Sequence, residues 1–258
     1  MKTNHQQLCT AMAILTTIAM LTLAGSARAD ATLVGHWTFD EGAGDTAFDS
    51  SVNGLNGTIT NAVYTSGRIG SNALYFNGSN ASVEVPNSDL LVPQTIGISL
   101  WFKSDSLQDS FADMLDKGHG YGSNPYYAGY VIQYDYDGVS FDGAYGNGSG
   151  FYGVGTDNNW ADNNWHHLVV NLGEDGCQLY IDTVLVDSTL GQGPLIQNDS
   201  NLYFGRHRFL GRYFRGWLDD IHIYDGALSE SEVHELFVPE PATLLLLGLG
   251  AVMLERRR

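Results

Sequence analysis

The sequence predicts an all-β fold, a two-sheet antiparallel sandwich, and two observations carry that prediction. Short runs of alternating apolar and polar residues recur between clusters of Gly, Asn, Asp and Ser, and helical periodicity is scarce. Regular spacing of this kind favours two opposed sheets over an α/β arrangement. In chain order the predicted strands cover 33–39, 73–76, 81–85, 96–102, 130–134, 166–172, 177–181, 202–204 and 217–224. One helix is predicted over 229–237, where Ser229 supplies the N-cap and Glu232 completes a capping box. Between Gly118 and Asn164 glycine, asparagine and aromatic residues crowd together, which predicts longer and wetter connections.

The two ends read as addresses. Lys2 precedes a mostly apolar stretch over 11–24, and Ala27-Arg28-Ala29 supplies small residues at the −3 and −1 positions of a cleavage site, so residues 1–29 are expected to be a secretory signal peptide. At the other end Val238-Pro239-Glu240-Pro241 leads into an apolar run over 242–254, closed by Glu255-Arg256-Arg257-Arg258. The prolines block helix on one side, and the arginines favour the cytoplasmic side of a membrane. Thirteen helical residues rise about 20 Å against a hydrocarbon core of roughly 30 Å, which suits a transient stop in the inner membrane better than a permanent anchor.

Residues 30–237 remain as one domain, and they hold seven Lys and Arg against 27 Asp and Glu. A surplus of this size argues against nucleic acid and anionic membrane surfaces as partners and leaves neutral glycans, cations and basic proteins. Cys9 lies in the leader, so Cys177 has no intramolecular partner. Its phase with Leu179 and Ile181 predicts a buried, inert thiol.

The tail resembles the PEP-CTERM sorting signal of exopolysaccharide-producing Gram-negative bacteria, which implies processing by an exosortase after signal peptidase has acted. Four further stretches, in order, resemble the laminin-G-like, concanavalin A-like family. They are Trp37-Thr38-Phe39-Asp40-Glu41-Gly42 with Asp49-Ser50-Ser51; Ala73-Leu74-Tyr75-Phe76-Asn77-Gly78 with Val83-Glu84-Val85; Trp165-His166-His167-Leu168-Val169 with Leu179-Tyr180-Ile181-Asp182; and Gly216-Trp217-Leu218-Asp219-Asp220-Ile221-His222-Ile223-Tyr224 with Ala227-Leu228-Ser229. The resemblance implies a jelly-roll sandwich with adjacent first and last strands, often a bound calcium ion, and binding of carbohydrate or protein outside the cell. One departure is Thr183, where the family usually has glycine after its Tyr-x-Asp element.

Asp219 shares phase with Trp217, Ile221 and Ile223, so it is expected to point inward with the isoleucines. A buried carboxylate needs a cation or hydrogen-bond donors. If the ends of the domain pair as the resemblance implies, Asp40, Glu41 and Asp49 approach Asp219 and Asp220. Oxygen ligands of that kind suit a structural calcium ion; the alternative is that these carboxylates cap turns through backbone amides. Tyr152, Asp157, Asn158, Asn159 and Trp160 combine ring faces with amide and carboxylate groups, the mixture that sugars use, and form the candidate ligand site. His36, His207 and His222 lack ligand-like spacing and read as packing or surface residues, while the adjacent His166 and His167 face opposite sides of a strand. Arg206, Arg208, Arg212 and Arg215 form the basic patch of the domain, expected to pair with carboxylates or hold an acidic sugar.

No catalytic residue is assigned. The chain lacks a Glu-x-Asp-x-x-Glu strand, a Gly-x-Ser-x-Gly elbow and a His-Glu-x-x-His helix. The expectation is a noncatalytic module, secreted and sorted to the cell surface or extracellular matrix, that binds extracellular polysaccharide or a matrix component. The alternatives are a polysaccharide-degrading hydrolase or lyase on the same fold, and a structural protein that binds other matrix proteins.

Overall fold

A computed structural model describes residues 31–104, 108–118 and 126–238. The predicted leader over 1–29 and the apolar run over 242–254 lie outside the described residues. In chain order the strands are β1 Thr32–Trp37, β2 Thr46–Ala47, β3 Gly57–Thr60, β4 Val63–Ser66, β5 Asn72–Asn77, β6 Ser82–Val85, β7 Thr95–Ser104, β8 Asp113–Asp116, β9 Tyr130–Tyr134, β10 Phe141–Gly146, β11 Phe151–Thr156, β12 His166–Gly173, β13 Cys177–Ile181, β14 Val184–Thr189, β15 Leu202–Phe204 and β16 Arg215–Asp225. One helix, α1 Glu230–Phe237, follows. The first sheet runs β14-β13-β12-β7-β16-β5-β4, with β1 also on β16; the second runs β11-β10-β9-β8-β15-β6-β3-β2. All pairings between strands are antiparallel.

The predicted alternation becomes two inner faces. Ile96, Ile98, Leu100 and Phe102 of β7 meet Tyr130, Ile132 and Tyr134 of β9 and Phe141 and Tyr145 of β10 in one core. Each such side chain contributes roughly 1.5–3 kcal/mol when removed from water, which is what two opposed sheets supply and one sheet does not. Cys177 is buried in that core, as its phase predicts.

β16 organises the first sheet. It pairs with β7 along its length, while its other edge meets β5 through Arg215–Leu218 and β1 through Ile221–Asp225. The first and last strands are therefore neighbours, with Trp37 opposite Ile221. Where β16 changes partner it carries a β-bulge between Asp219 and His222, and Asp220 sits at φ +49°. Leu218 and Ile221 both face the core although two residues separate them. This corrects the phase expected for Asp219: the extra residue turns it away from the isoleucines, as a bulge does.

The helix begins as its sequence predicts. Ser229 caps it with a complete capping box, and Asn171 brackets the preceding residue by accepting from Leu228 N at 2.8 Å and donating to Leu228 O at 2.9 Å. Leu228 and Val233 then pack on Val169 and Tyr180, on the outer face of the first sheet.

The hairpin between β13 and β14 turns through Asp182 and Thr183, at φ +49° and +72°. Two positive φ values match the primed turn that a twisted two-residue hairpin needs, although Thr is an unfavourable residue there. Asp182 secures the turn by accepting from His167 N at 2.9 Å and pairing with His166 Nδ1 at 2.7 Å. Thr183→Gly is expected to stabilise the domain by about 1 kcal/mol, because relief of the left-handed strain exceeds the entropy that glycine adds to the unfolded chain. Urea unfolding checks this through an increased midpoint at unchanged slope.

Candidate functional site

Glycine shapes the trough at one end of the second sheet. On β11, Gly153 and Gly155 stand opposite Ala144 and Asp142 of β10, and Asp142 in turn stands opposite Gln133 of β9. A Cβ on Gly153 would lie 2.1 Å from the Gly143 carbonyl oxygen, so the strands approach there as closely as backbone permits. The missing side chains leave a cavity of about 440 Å³ over Gln133, Asp142, Tyr152 and Asp187. A second cavity of about 610 Å³ shares Asp142, Gly155 and Asp187 and extends to Asp135, Asp157 and Asn158. Asp187 reaches the trough from β14 and accepts from Gly155 N at 3.0 Å. Burial pushes Asp142 up to about 6, against the hydrogen bond from Gln133 and with Asp135 adding to the rise.

The structure brings Tyr152, Asp157 and Asn158 to this trough and places Asn159 and Trp160 beside it. Asn159 Oδ1 accepts from Ala161 N at 2.9 Å in a local turn. Trp160 packs against the core, its ring 4.9 Å from that of His166, and its indole N–H donates to Thr156 Oγ1 at 3.2 Å. Sequence reasoning missed Gln133 and Asp187 as members, because they stand 19 residues before and 35 residues after Tyr152, on other strands. Asp142 carried a weak signal, a carboxylate beside an aromatic residue in a strand that resembles a loop.

The five carboxylates near the paired ends of the domain separate into different roles. Asp40 Oδ1 accepts from Ser71 N at 2.6 Å and Asn72 N at 2.9 Å. Glu41 Oε1 accepts from Phe48 N at 2.7 Å. Asp49 takes the backbone amides of His36, Ser51 and Leu55 at 2.9, 2.8 and 2.7 Å, and these donors outweigh burial to hold its carboxyl below the usual range. Asp219 Oδ2 accepts from Arg68 N at 2.6 Å and Ile69 N at 2.9 Å, whereas its Oδ1 is buried with no hydrogen-bond partner. Burial pushes Asp219 up to about 7, opposed by those two amides and reinforced by Asp220 and Asp40. An unpartnered buried carboxylate oxygen fits a hard cation such as calcium, as does Asp40 nearby.

Asp220 leads elsewhere. Its Oδ1 lies 2.8 Å from His36 Nε2 and its Oδ2 3.9 Å from His222 Nδ1, and the two imidazoles stack at 3.8 Å. Burial raises the Asp220 carboxyl, but His36, His222 and His167 reverse the effect and lower it. Burial pushes His222 and His167 down to about 4, so both are neutral at neutral pH. His36 and His222 are 186 residues apart in the chain but directly opposed across β1 and β16, which linear spacing could not reveal.

The basic patch meets both carboxylates and rings. The charges of Asp116 and Asp199 act on Arg208 against its burial, and that of Arg212 acts on Asp113. Arg206, Arg208 and Arg212 also lie 4.8 Å from the rings of Tyr203, Phe209 and Phe111.

With this geometry in place, comparison with known proteins is decisive for the family. Residues 77–234 match the family described as the concanavalin A-like lectin/glucanases superfamily. The chain belongs to that superfamily. Residues 237–258 of this concanavalin A-like protein match the PEP-CTERM protein-sorting motif, which marks export and sorting in the cell envelope. Among the described residues, no helix is long and apolar enough to cross a membrane. The concanavalin A-like protein is 26% identical over 178 residues to adhesion G-protein coupled receptor V1 of Danio rerio, a match over 65% of this chain and 3% of the receptor. It thus spans only a small part of that relative's length. Among solved structures it is similar to domain 4 of AbnA, a GH43 extracellular arabinanase from Geobacillus stearothermophilus, in complex with arabinotriose, with a TM-score of 0.65, 24% identity and coverage of 81% of this chain and 100% of that one. It is also similar to the binding domain of Paraclostridial Mosquitocidal Protein 1, with a TM-score of 0.64, 21% identity and coverage of 80% and 52%. At such identities these likenesses establish the fold alone.

Proposed function

We propose that this is a noncatalytic module, exported and sorted to the cell surface or matrix, whose trough over β9, β10 and β11 engages extracellular polysaccharide. The trough carries the reading. It sets Phe151 and Tyr152 beside Gln133, Asp142 and Asp187 and continues to Asp157 and Asn158, and strand alternation puts Phe151 on the face that carries Gly153, Gly155 and Asp142. This is the mixture of apolar face and hydroxyl-binding groups that a sugar needs. Domain 4 of AbnA, solved with arabinotriose, supports the choice of ligand class. The described residues lining the two cavities include Asp135, Asp142, Asp157 and Asp187 and no Lys or Arg, so neutral or amine-bearing glycans fit and uronate-rich or sulfated ones are repelled. Sorting through the C-terminal motif implies an exosortase as a processing partner, with the tail at the inner membrane only in transit.

Calcium belongs to the same proposal as a structural ion near Asp219 Oδ1, with Asp40 on the same side. The second reading, a glycan-degrading enzyme, draws on Asp142, a carboxyl raised toward neutral pH inside a cleft.

Incubation of the purified protein with neutral, amine-bearing and acidic polysaccharides tests these readings. Retention by the first two classes without new reducing ends or unsaturated products is the expected result, and Phe151→Ala is expected to weaken retention by about 3- to 10-fold. Product release supports the enzyme; no retention and no product leaves a structural role among matrix proteins.

A further inference from the structure

We propose that His36, Asp220 and His222 form a binding site for a borderline divalent transition metal, zinc in the first instance. The site joins the two ends of the domain. His36 stands on β1 directly opposite His222 on β16, and the bulge at Asp219 and Asp220 turns the Asp220 carboxylate toward both rings. One ligand atom from each residue lies within 4.8 Å of the others. Ligands about 2.0 Å from a tetrahedral zinc ion stand about 3.3 Å apart. The separations of 2.8 Å from Asp220 to His36 and 3.9 Å from Asp220 to His222 bracket that value.

Two imidazoles and one carboxylate select zinc, nickel or copper over calcium, which prefers an all-oxygen shell. On binding, neutral His36 offers the Nε2 lone pair and keeps its proton on Nδ1, and the stacked rings rotate about their Cβ–Cγ bonds so that both lone pairs meet one point. The fourth coordination position opens on a cavity of about 330 Å³ that Thr38, Asp40 and Glu235 also line, which gives room for a water molecule and a path of entry.

A second cluster has the same residue types but not the same chemistry. Asp113, Asp116 and His207 also bring ligand atoms within 4.8 Å of one another. There, however, His207 Nδ1 accepts from Phe209 N and Leu210 N, both at 3.0 Å. That leaves the proton on Nε2, so neither ring nitrogen offers a lone pair to a metal. His36 and His222 carry no such double backbone lock: His222 Nδ1 makes a single backbone hydrogen bond, donating to the Asp220 carbonyl oxygen at 3.1 Å, and taking the metal at Nδ1 requires that this bond is given up and the proton moved to Nε2.

The test uses the purified chain without a polyhistidine tag. Zinc chloride titrated calorimetrically is expected to saturate at a single tight equivalent per chain, cobalt(II) in its place to show the visible bands of a tetrahedral ion, and excess calcium to displace neither. His222→Ala is expected to weaken zinc by more than the roughly 10- to 100-fold that losing an outer-shell partner costs. His36→Gln alters a partly exposed side chain and gives a second answer should the buried His222 variant not fold. Failure of the wild-type protein to bind zinc, or binding undiminished in His36→Gln, overturns the site.

Discussion

Across the range from pH 4 to pH 8, the stability of the calcium-free wild-type protein is expected to fall relative to Asp219→Asn by on the order of 4 kcal/mol. The Asp219 carboxyl has a folded-state value of about 7 against an ordinary 3.8. Below pH 4 both folded and unfolded chains hold the proton, and the group has no effect on stability. Between those values the unfolded chain has released it and the folded chain keeps it, so each pH unit costs the wild type about 1.4 kcal/mol. Above pH 7 the folded chain carries a buried, half-satisfied carboxylate and the full penalty applies. Asparagine has the same shape and still accepts from Arg68 N and Ile69 N, but it does not titrate. The cost of leaving its amide nitrogen unpartnered is independent of pH and drops out of the comparison. Urea unfolding of both proteins in chelator measures the difference, and parallel pH profiles would show that Asp219 carries no such penalty. Calcium at ~100 times its dissociation constant should then add about 2.7 kcal/mol to the wild type at neutral pH and little to the variant.

Trp37→Ala is expected to cost about 3–5 kcal/mol. The ring is fully buried, meets Phe204 of the opposite sheet edge-on at 5.1 Å, and donates from its indole nitrogen to Leu55 O at 2.9 Å. It also lies so close over Gly35 that a Cβ there would stand 2.5 Å from it. Truncation therefore opens a cavity between the sheets and strips a donor from a carbonyl in the loop between β2 and β3. Trp37→Phe keeps most of the volume and is expected to lose the smaller part, about 1–3 kcal/mol for the orphaned carbonyl. Thermal unfolding separates the two, and an alanine variant within 1 kcal/mol of wild type would mean that Trp37 does not link the sheets.

Residues whose burial follows from local alternation were legible. The runs that became β7, β9, β12 and β13 alternate cleanly or are continuously apolar, and the structure buries the faces that they predict. Strands β10 and β11 were not legible, because Phe-Asp-Gly-Ala-Tyr-Gly and Phe-Tyr-Gly-Val-Gly-Thr carry glycine where a strand usually carries bulk. That glycine is also what hollows the trough. Strand β8, Asp-Met-Leu-Asp, was hidden because both terminal carboxylates are buried, against the usual rule. The exposed edge strand β14 offered no alternation to read.

Sequence alone determined the sandwich, the capped helix, the buried thiol and the C-terminal address, since each depends on periodicity or on residues adjacent in the chain. Only the tertiary structure decided which side chains meet. A single bulged residue in β16 reversed the facing of Asp219 relative to Ile221. The pairing of β1 with β16 set His36 against His222, and β14 brought Asp187 to a trough built by β9, β10 and β11. A strand's own pattern specifies which face is apolar. Its partner, its register and its bulges are settled by contacts with strands far away in the chain, and those contacts place the polar groups that bind.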